Sequence, residues 1–218
     1  MTLIRGRRTA ILGTCVIMMT TGCIGAIDRA DFEGALHARG GGLVTALPAA
    51  AVGALEQRLG ATGIRASVVM LTAPNSSGFQ LVVPDQPAQV TRFLDGGANL
   101  AGPYAVARFR IQVPQNPDQL DDYTFALDDL SEPAPVQVMT GDVQDKTFAI
   151  ADVSGLARIE EIVDTALAHS ELDNAYVPAI LVNKFGRDIL MTVNVTSPRG
   201  VSVAQFDRTG TFIRVRRV

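Results

Sequence analysis

The side chains best placed to do chemistry are carboxylates and one thiol. Asp118, Asp121, Asp122, Asp128, Asp129 and Glu132 crowd a short stretch broken by prolines. Calcium favours several oxygen ligands from one bent loop, so Asp118, Asp121 and Asp122 are the metal candidates. The stretch lacks the glycine and the ligand spacing of a recognised calcium loop, so a solvated connector without metal is expected. Asp152, Glu160, Glu161 and Asp164 could supply the paired carboxylates of glycosidic chemistry. Glu160, Glu161 and Asp164, however, fall on the polar side of a helical pattern, which makes a solvated face the expected reading. His37 and His169 are the only histidines. There is no His-x-x-x-His pair, no Gly-x-Ser-x-Gly elbow and no phosphate loop. Gly40-Gly41-Gly42 follows no apolar strand, so it reads as a flexible hinge. Neither an enzyme nor a cofactor is expected.

The thiol is Cys23. Before it stand a basic start (Arg5, Arg7, Arg8) and the apolar run Thr9–Thr21, with no acid before Asp28. A run of about 13 residues is too short for a spanning helix, which needs roughly 20. It matches the apolar core of a secretory signal. The arginines should remain on the cytoplasmic side during export. Met19-Thr20-Thr21-Gly22-Cys23 resembles the lipobox of bacterial lipoproteins, with Thr20 where that family carries an aliphatic residue. The resemblance implies cleavage before Cys23, which becomes the first residue and carries diacylglycerol, with palmitate as a typical acyl group. It also implies anchoring on the outer face of the cytoplasmic membrane. Ordinary cleavage near Ala26, an uncleaved anchor and twin-arginine export through Arg7-Arg8 are the alternatives.

Composition narrows the partners. Cys15 and Cys23 are the only cysteines, and Cys15 would leave with the signal. The mature chain can then form no internal disulfide and no zinc–thiolate site. Removing three arginines from 19 basic residues leaves 16 against 22 acids, about −6. That argues against nucleic acid, whose binding rests on neutralising phosphates. Arginine outnumbers lysine 17 to 2, the usage of a GC-rich, actinobacterial type of genome.

The elements that position these residues read as an α+β body. Residues 1–22 form the signal and 23–42 a tether. Residues 43–113 form a first helix-plus-meander unit, 114–150 a connector with strands, and 151–218 a second helix-plus-meander unit. Pro48–Leu59 is a helix, with Pro48 at its first turn and Gly60 suited to the position after its end. Gly155–Ser170 is a second helix, with Leu156, Ile159, Val163, Ala166 and Leu167 at 3.6-residue spacing and Asp152 or Ser154 as its cap. Strands are expected at Ile64–Thr72, Gly78–Val83, Ala88–Leu94 and Tyr104–Val113. Four more are expected at Tyr176–Asn183, Ile189–Thr196, Val201–Phe206 and Phe212–Val218. Turn residues separate them. Along Tyr104–Val113, Val106, Arg108, Arg110 and Gln112 alternate with Ala105, Ala107, Phe109, Ile111 and Val113.

Val82–Leu100 lies over Asn194–Ile213 as strand, proline turn, strand and Asp-Gly-type turn, which points to an internal duplication. This order resembles tandem αβββ envelope domains of the PepSY and β-lactamase-inhibitory-protein type. That resemblance carries no functional residues with it. Arg214, Arg216 and Arg217 make a basic end, read as a charged edge strand or a contact for anionic headgroups. Two functions follow: a non-catalytic binding module for another envelope protein, or a carrier of lipid or another apolar ligand.

Replacing the thiol tests the anchor. In detergent phase partition, Cys23→Ala should move the protein to the aqueous phase. A variant that stays in the membrane would mean that the uncleaved signal holds it.

Overall fold

The computed structural model describes residue 43 and residues 47–76, 88–95, 102–137 and 143–218. The expected signal, the tether with Cys23 and the expected strand Gly78–Val83 lie outside the described residues.

Helix α1 is Leu47–Leu59. Pro48 sits in its first turn. Gly60, at φ 63°, follows its end and donates its N–H to the Glu56 carbonyl at 2.9 Å. Strand β1 (Arg65–Thr72) comes next. Ala88–Asp95, expected as a strand, is helix α2. Val90, Phe93 and Leu94 stand at i, i+3 and i+4, so as a helix they share one apolar face. As a strand, Val90 and Phe93 would point to opposite faces. The overlay of Val82–Leu100 on Asn194–Ile213 therefore fails over this helix.

Strands β2 (Val106–Val113) and β3 (Asn116–Ala126) form a hairpin, followed by the short β4 (Asp129–Leu130) and β5 (Ala134–Val136). Between β3 and β4 the chain turns on Leu127 and Asp128, both left-handed at φ 53° and 60°. One helical turn, α3 (Val143–Lys146), leads into β6 (Phe148–Ala149).

Two 3₁₀ turns, Ile150–Asp152 and Ser154–Arg158, precede α4 (Ile159–Ser170). Neither Asp152 nor Ser154 caps the helix as expected; the cap positions are Val153 and Arg158, without side-chain hydrogen bonds. Backbone carbonyls do that work instead. Gly155 N–H donates to Arg208 O at 2.9 Å and Leu156 N–H to Val153 O at 3.1 Å. Then come β7 (Tyr176–Phe185), β8 (Asp188–Ser197), β9 (Gly200–Asp207) and β10 (Phe212–Arg217), close to the expected bounds.

All strands join one antiparallel sheet, ordered β10-β9-β8-β7-β1-β2-β3-β4, with β5 on β3 and β6 on β1. A helix followed by a four-strand meander thus occurs twice, α1 with β1–β4 and α4 with β7–β10. The fold is α+β, and both meanders share one sheet. The first runs past residue 113 into β3 and β4. The two meet where β1 pairs with β7, with Val69 opposite Val182 and Leu71 opposite Ile180.

The main core lies between one sheet face and helices α1 and α4. Leu55, Leu71, Phe109, Ile162, Val193 and Phe206 fill it. Each such side chain contributes about 1.5–3 kcal/mol on burial. A bulge at Ser67 lets Ala66 and Val69 both face this core, and leaves the buried Ser67 hydroxyl without a hydrogen-bond partner among the described residues. Helix α2 covers part of the opposite face. There Val90 and Phe93 join Val68, Met70, Ala179 and Leu181 in a separate, smaller core.

Two glycines should respond oppositely to alanine. A Cβ at Gly155 would strike the Met191 sulfur and come within 2.9 Å of the Gly210 nitrogen. Gly155→Ala should therefore cost about 1–3 kcal/mol in urea unfolding. Gly53, inside α1, has open space at its Cβ position. Gly53→Ala should add about 0.5–1 kcal/mol through helix propensity.

Candidate functional site

The face of the sheet opposite α1 and α4 carries polar groups that a core face would not. Arg108 and Arg110 of β2 point to this side, in the alternation read from the sequence. Both are only 6% exposed. Phe93 of α2 lies against them, with the Arg108 guanidinium carbon 4.2 Å and the Arg110 carbon 5.1 Å from its ring centroid. Such cation–π contacts offset part of the cost of taking a cation out of water.

The two arginines differ in their partners. Arg110 donates from Nε to Asp122 Oδ1 at 2.7 Å and from Nη2 to Oδ2 at 2.8 Å. This is the two-pronged pairing that a guanidinium fork makes with a carboxylate. The geometry follows from register, because Arg110 and Asp122 stand opposite each other on β2 and β3. Arg108 stands opposite Thr124 on β3 and Met70 on β1. Among the described residues it makes no ion pair and no hydrogen bond through its side chain. Burial pushes its pKa below the usual arginine value, against the attraction of Asp122 and with the repulsion of Arg110. Asp122 thus bonds Arg110 directly and acts on Arg108 through space.

Asn194 on β8 lies farther along the same face, opposite Ala179. It is fully buried, and neither Oδ1 nor Nδ2 has a partner among the described residues. Buried polar atoms without partners are uncommon and costly.

Two clefts open on the surface of the described residues. One, of about 700 Å³, opens at the end of the sheet beside Arg65, Gln112, Asp145 and Lys184. Several of its donors are already engaged. Arg65 bonds the Thr147 hydroxyl at 3.1 Å and carbonyl at 2.9 Å, and Gln112 bonds the Pro117 carbonyl at 2.7 Å. The other, of about 240 Å³, is lined by Val52, Ile64, Ile150, Val153 and Leu156 between α1 and the 3₁₀ turns.

The residues singled out in the sequence scatter. Asp118 is exposed at the start of β3. Asp121 and Asp122 are consecutive in β3, so they point to opposite faces, and Asp122 is committed to Arg110. Burial, and then the Asp122 charge, raise the Asp121 pKa from its ordinary value. No group of three metal-ligating side chains occurs among the described residues. Glu161 pairs with Arg158 at the exposed start of α4, and Asp152 and Glu160 are exposed. The ring of His169 stacks on Phe212 at 4.1 Å. Arg214 donates to Gln205 at 2.7 Å on the outermost strand, β10, where Arg216 and Arg217 are also exposed. Sequence reasoning missed Phe93 as the cover of the arginines. The i, i+3, i+4 apolar spacing of Val90, Phe93 and Leu94 was the signal that could have found it.

Removing the Asp122 carboxylate tests its worth to the buried face. Asp122→Asn takes the two-pronged carboxylate from the buried Arg110 guanidinium and should cost about 3 kcal/mol in urea unfolding. Glu132→Gln, which breaks the exposed Arg58–Glu132 pair, should cost less than about 1 kcal/mol.

No family model matches the chain, and no curated protein matches it. Among solved structures it is similar to a candidate lipoprotein from Clostridium difficile 630 at 11% identity, covering 77% of this chain and 90% of that one, with a TM-score of 0.48.

Proposed function

We propose that this chain is an exported lipoprotein, held on the outer face of the cytoplasmic membrane through lipid on Cys23. Its α+β domain then acts as a non-catalytic binding module for another envelope protein. The anchor rests on the basic start, the short apolar run and Gly22-Cys23. No helix of the described residues is long and apolar enough to cross a membrane.

The observation that carries the binding reading is the outer edge of β10. This strand ends the sheet order and pairs only with β9 among the described residues. Its far side presents backbone donors and acceptors for an added strand. Ile213 is 49% and Val215 36% exposed, and Arg214 and Arg216 lie between and beyond them. Such an edge can accept an extended segment bearing acids. The carrier reading finds less support. Phe109, Ile162 and Phe206 occupy the space between helices and sheet at 1% exposure or below. The apolar cleft of about 240 Å³ is smaller than the roughly 300–1,000 Å³ of ligand pockets.

A photo-crosslinking side chain at position 215 in intact envelopes tests this. One discrete protein adduct, lost when Arg214→Glu and Arg216→Glu are combined, is the expected result. No protein adduct, together with a lipid-sized non-covalent mass on the gently extracted protein, would replace the binding module with a carrier.

A further inference from the structure

We propose that the outer edge of β10 selects an extended partner segment with the pattern acid, apolar, acid, the two acids facing Arg214 and Arg216 and the apolar residue facing Val215. This deepens the reading of β10 as the partner edge and rests on it.

The backbone fixes where a strand can attach. Val218 donates its N–H to the Val201 carbonyl at 3.0 Å, just beyond the pair formed by Arg217 and Ser202. In an antiparallel ladder such a bond flanks a pair whose own N–H and C=O groups point away from each other. Those of Arg217 therefore point out of the sheet edge, and so do those of Val215, two residues back. Arg214 and Arg216 direct theirs to β9. An added strand thus finds its backbone partners at Val215 and Arg217.

Side chains then set the pattern. Arg214 stands opposite Gln205 and Arg216 opposite Val203, so both guanidiniums share one face beside uncharged neighbours on β9. Arg214 donates to Gln205 Oε1 at 2.7 Å, and among the described residues Arg216 makes no side-chain hydrogen bond or ion pair. Val215, opposite Ala204, turns to the other face and stays 36% exposed. Residues of an added strand lie directly across from these three, close enough for side chains to interact. Acids across from Arg214 and Arg216 meet opposite charge, and an apolar residue across from Val215 covers its exposed side chain. A second copy joined through β10, with its helices on the same side, sets arginine against arginine, and like charges directly opposite destabilise. The occupant is therefore a different segment, one that alternates acid and apolar residues.

The test titrates the full-length protein in detergent with capped peptides into the millimolar range. Thr-Thr-Glu-Val-Glu-Thr-Thr should protect the Val215 and Arg217 amides from hydrogen exchange, read by NMR. The Arg216 amide, already bonded inside the sheet, should keep its protection unchanged. Thr-Thr-Glu-Glu-Val-Thr-Thr, of the same composition, should bind at least about fivefold more weakly, because it cannot place both acids across from the arginines. In the exposed double variant Arg214→Glu, Arg216→Glu the preference should invert toward Thr-Thr-Lys-Val-Lys-Thr-Thr. Equal affinity for the two acidic peptides would overturn the proposal, as would an absence of protection at Val215 and Arg217. A doubled native mass without peptide, with those same two amides protected, would replace the acidic segment with a second copy. The cross-link at position 215 asks a separate question. A protein adduct without the peptide preference sinks only the acid, apolar, acid pattern. The preference without an adduct sinks only the envelope-protein partner.

Discussion

The antiparallel pairing of β1 with β7 is the contact on which the rest of the molecule depends. It joins two meanders that would otherwise be separate four-strand sheets. Both strands are covered on both faces near the seam. Val69, Leu71, Ile180 and Val182 face α1 and α4, while Val68, Met70, Ala179 and Leu181 face α2. Double coverage explains why these strands read as nearly continuous apolar runs and the outer ones do not. The seam also sets where the helices can lie. Helix α1 rests over β2 and β4, and α4 over β7 to β10. Because strand side chains alternate at period two, slipping this pairing by one residue would turn one core face outward.

Most of this architecture was legible in the sequence. Strands β7 to β10 were readable because turn residues bracket each run, as at Gly186 (φ 62°) and Gly210 (φ 84°). Helices α1 and α4 were readable from apolar spacing. The misreading at Ala88–Leu94 has a physical cause: Pro84 and Pro87 suggest hairpin turns, and eight residues are too few for periodicity to outweigh that context. The turn at Leu127-Asp128 was hidden for a related reason. Its left-handed conformation favours asparagine and glycine, and neither is present. The repeated helix-plus-meander order appeared in the sequence, but over the wrong residues, because α2 interrupts the first copy.

The arginine cluster shows the limit of pattern reading more sharply. Alternation along β2 sorted Arg108 and Arg110 onto one face correctly. It carried no information about whether that face meets water or another element. Burial came from α2, a non-local partner, and the pairing of Arg110 with Asp122 from strand register. The acidic stretch likewise looked like a solvated loop until β3 divided its aspartates between two faces. A carboxylate read as one ligand among several proved to be the counter-ion of a buried cation.

The two edges of the sheet are not equivalent. At the far end, β4 is two residues long, and β5 is three residues long with Pro135 in its middle. Proline supplies no N–H to a ladder, and short edges resist templating. Growth of the sheet is therefore one-sided. A strand added at β10 finds no matching edge from which the next copy could continue. Association through this surface must end in a closed one-to-one complex, or in a two-fold pair of β10 edges, and open-ended filaments of stacked sheets are disfavoured. For any strand added at β10, that asymmetry sets stoichiometry as well as affinity.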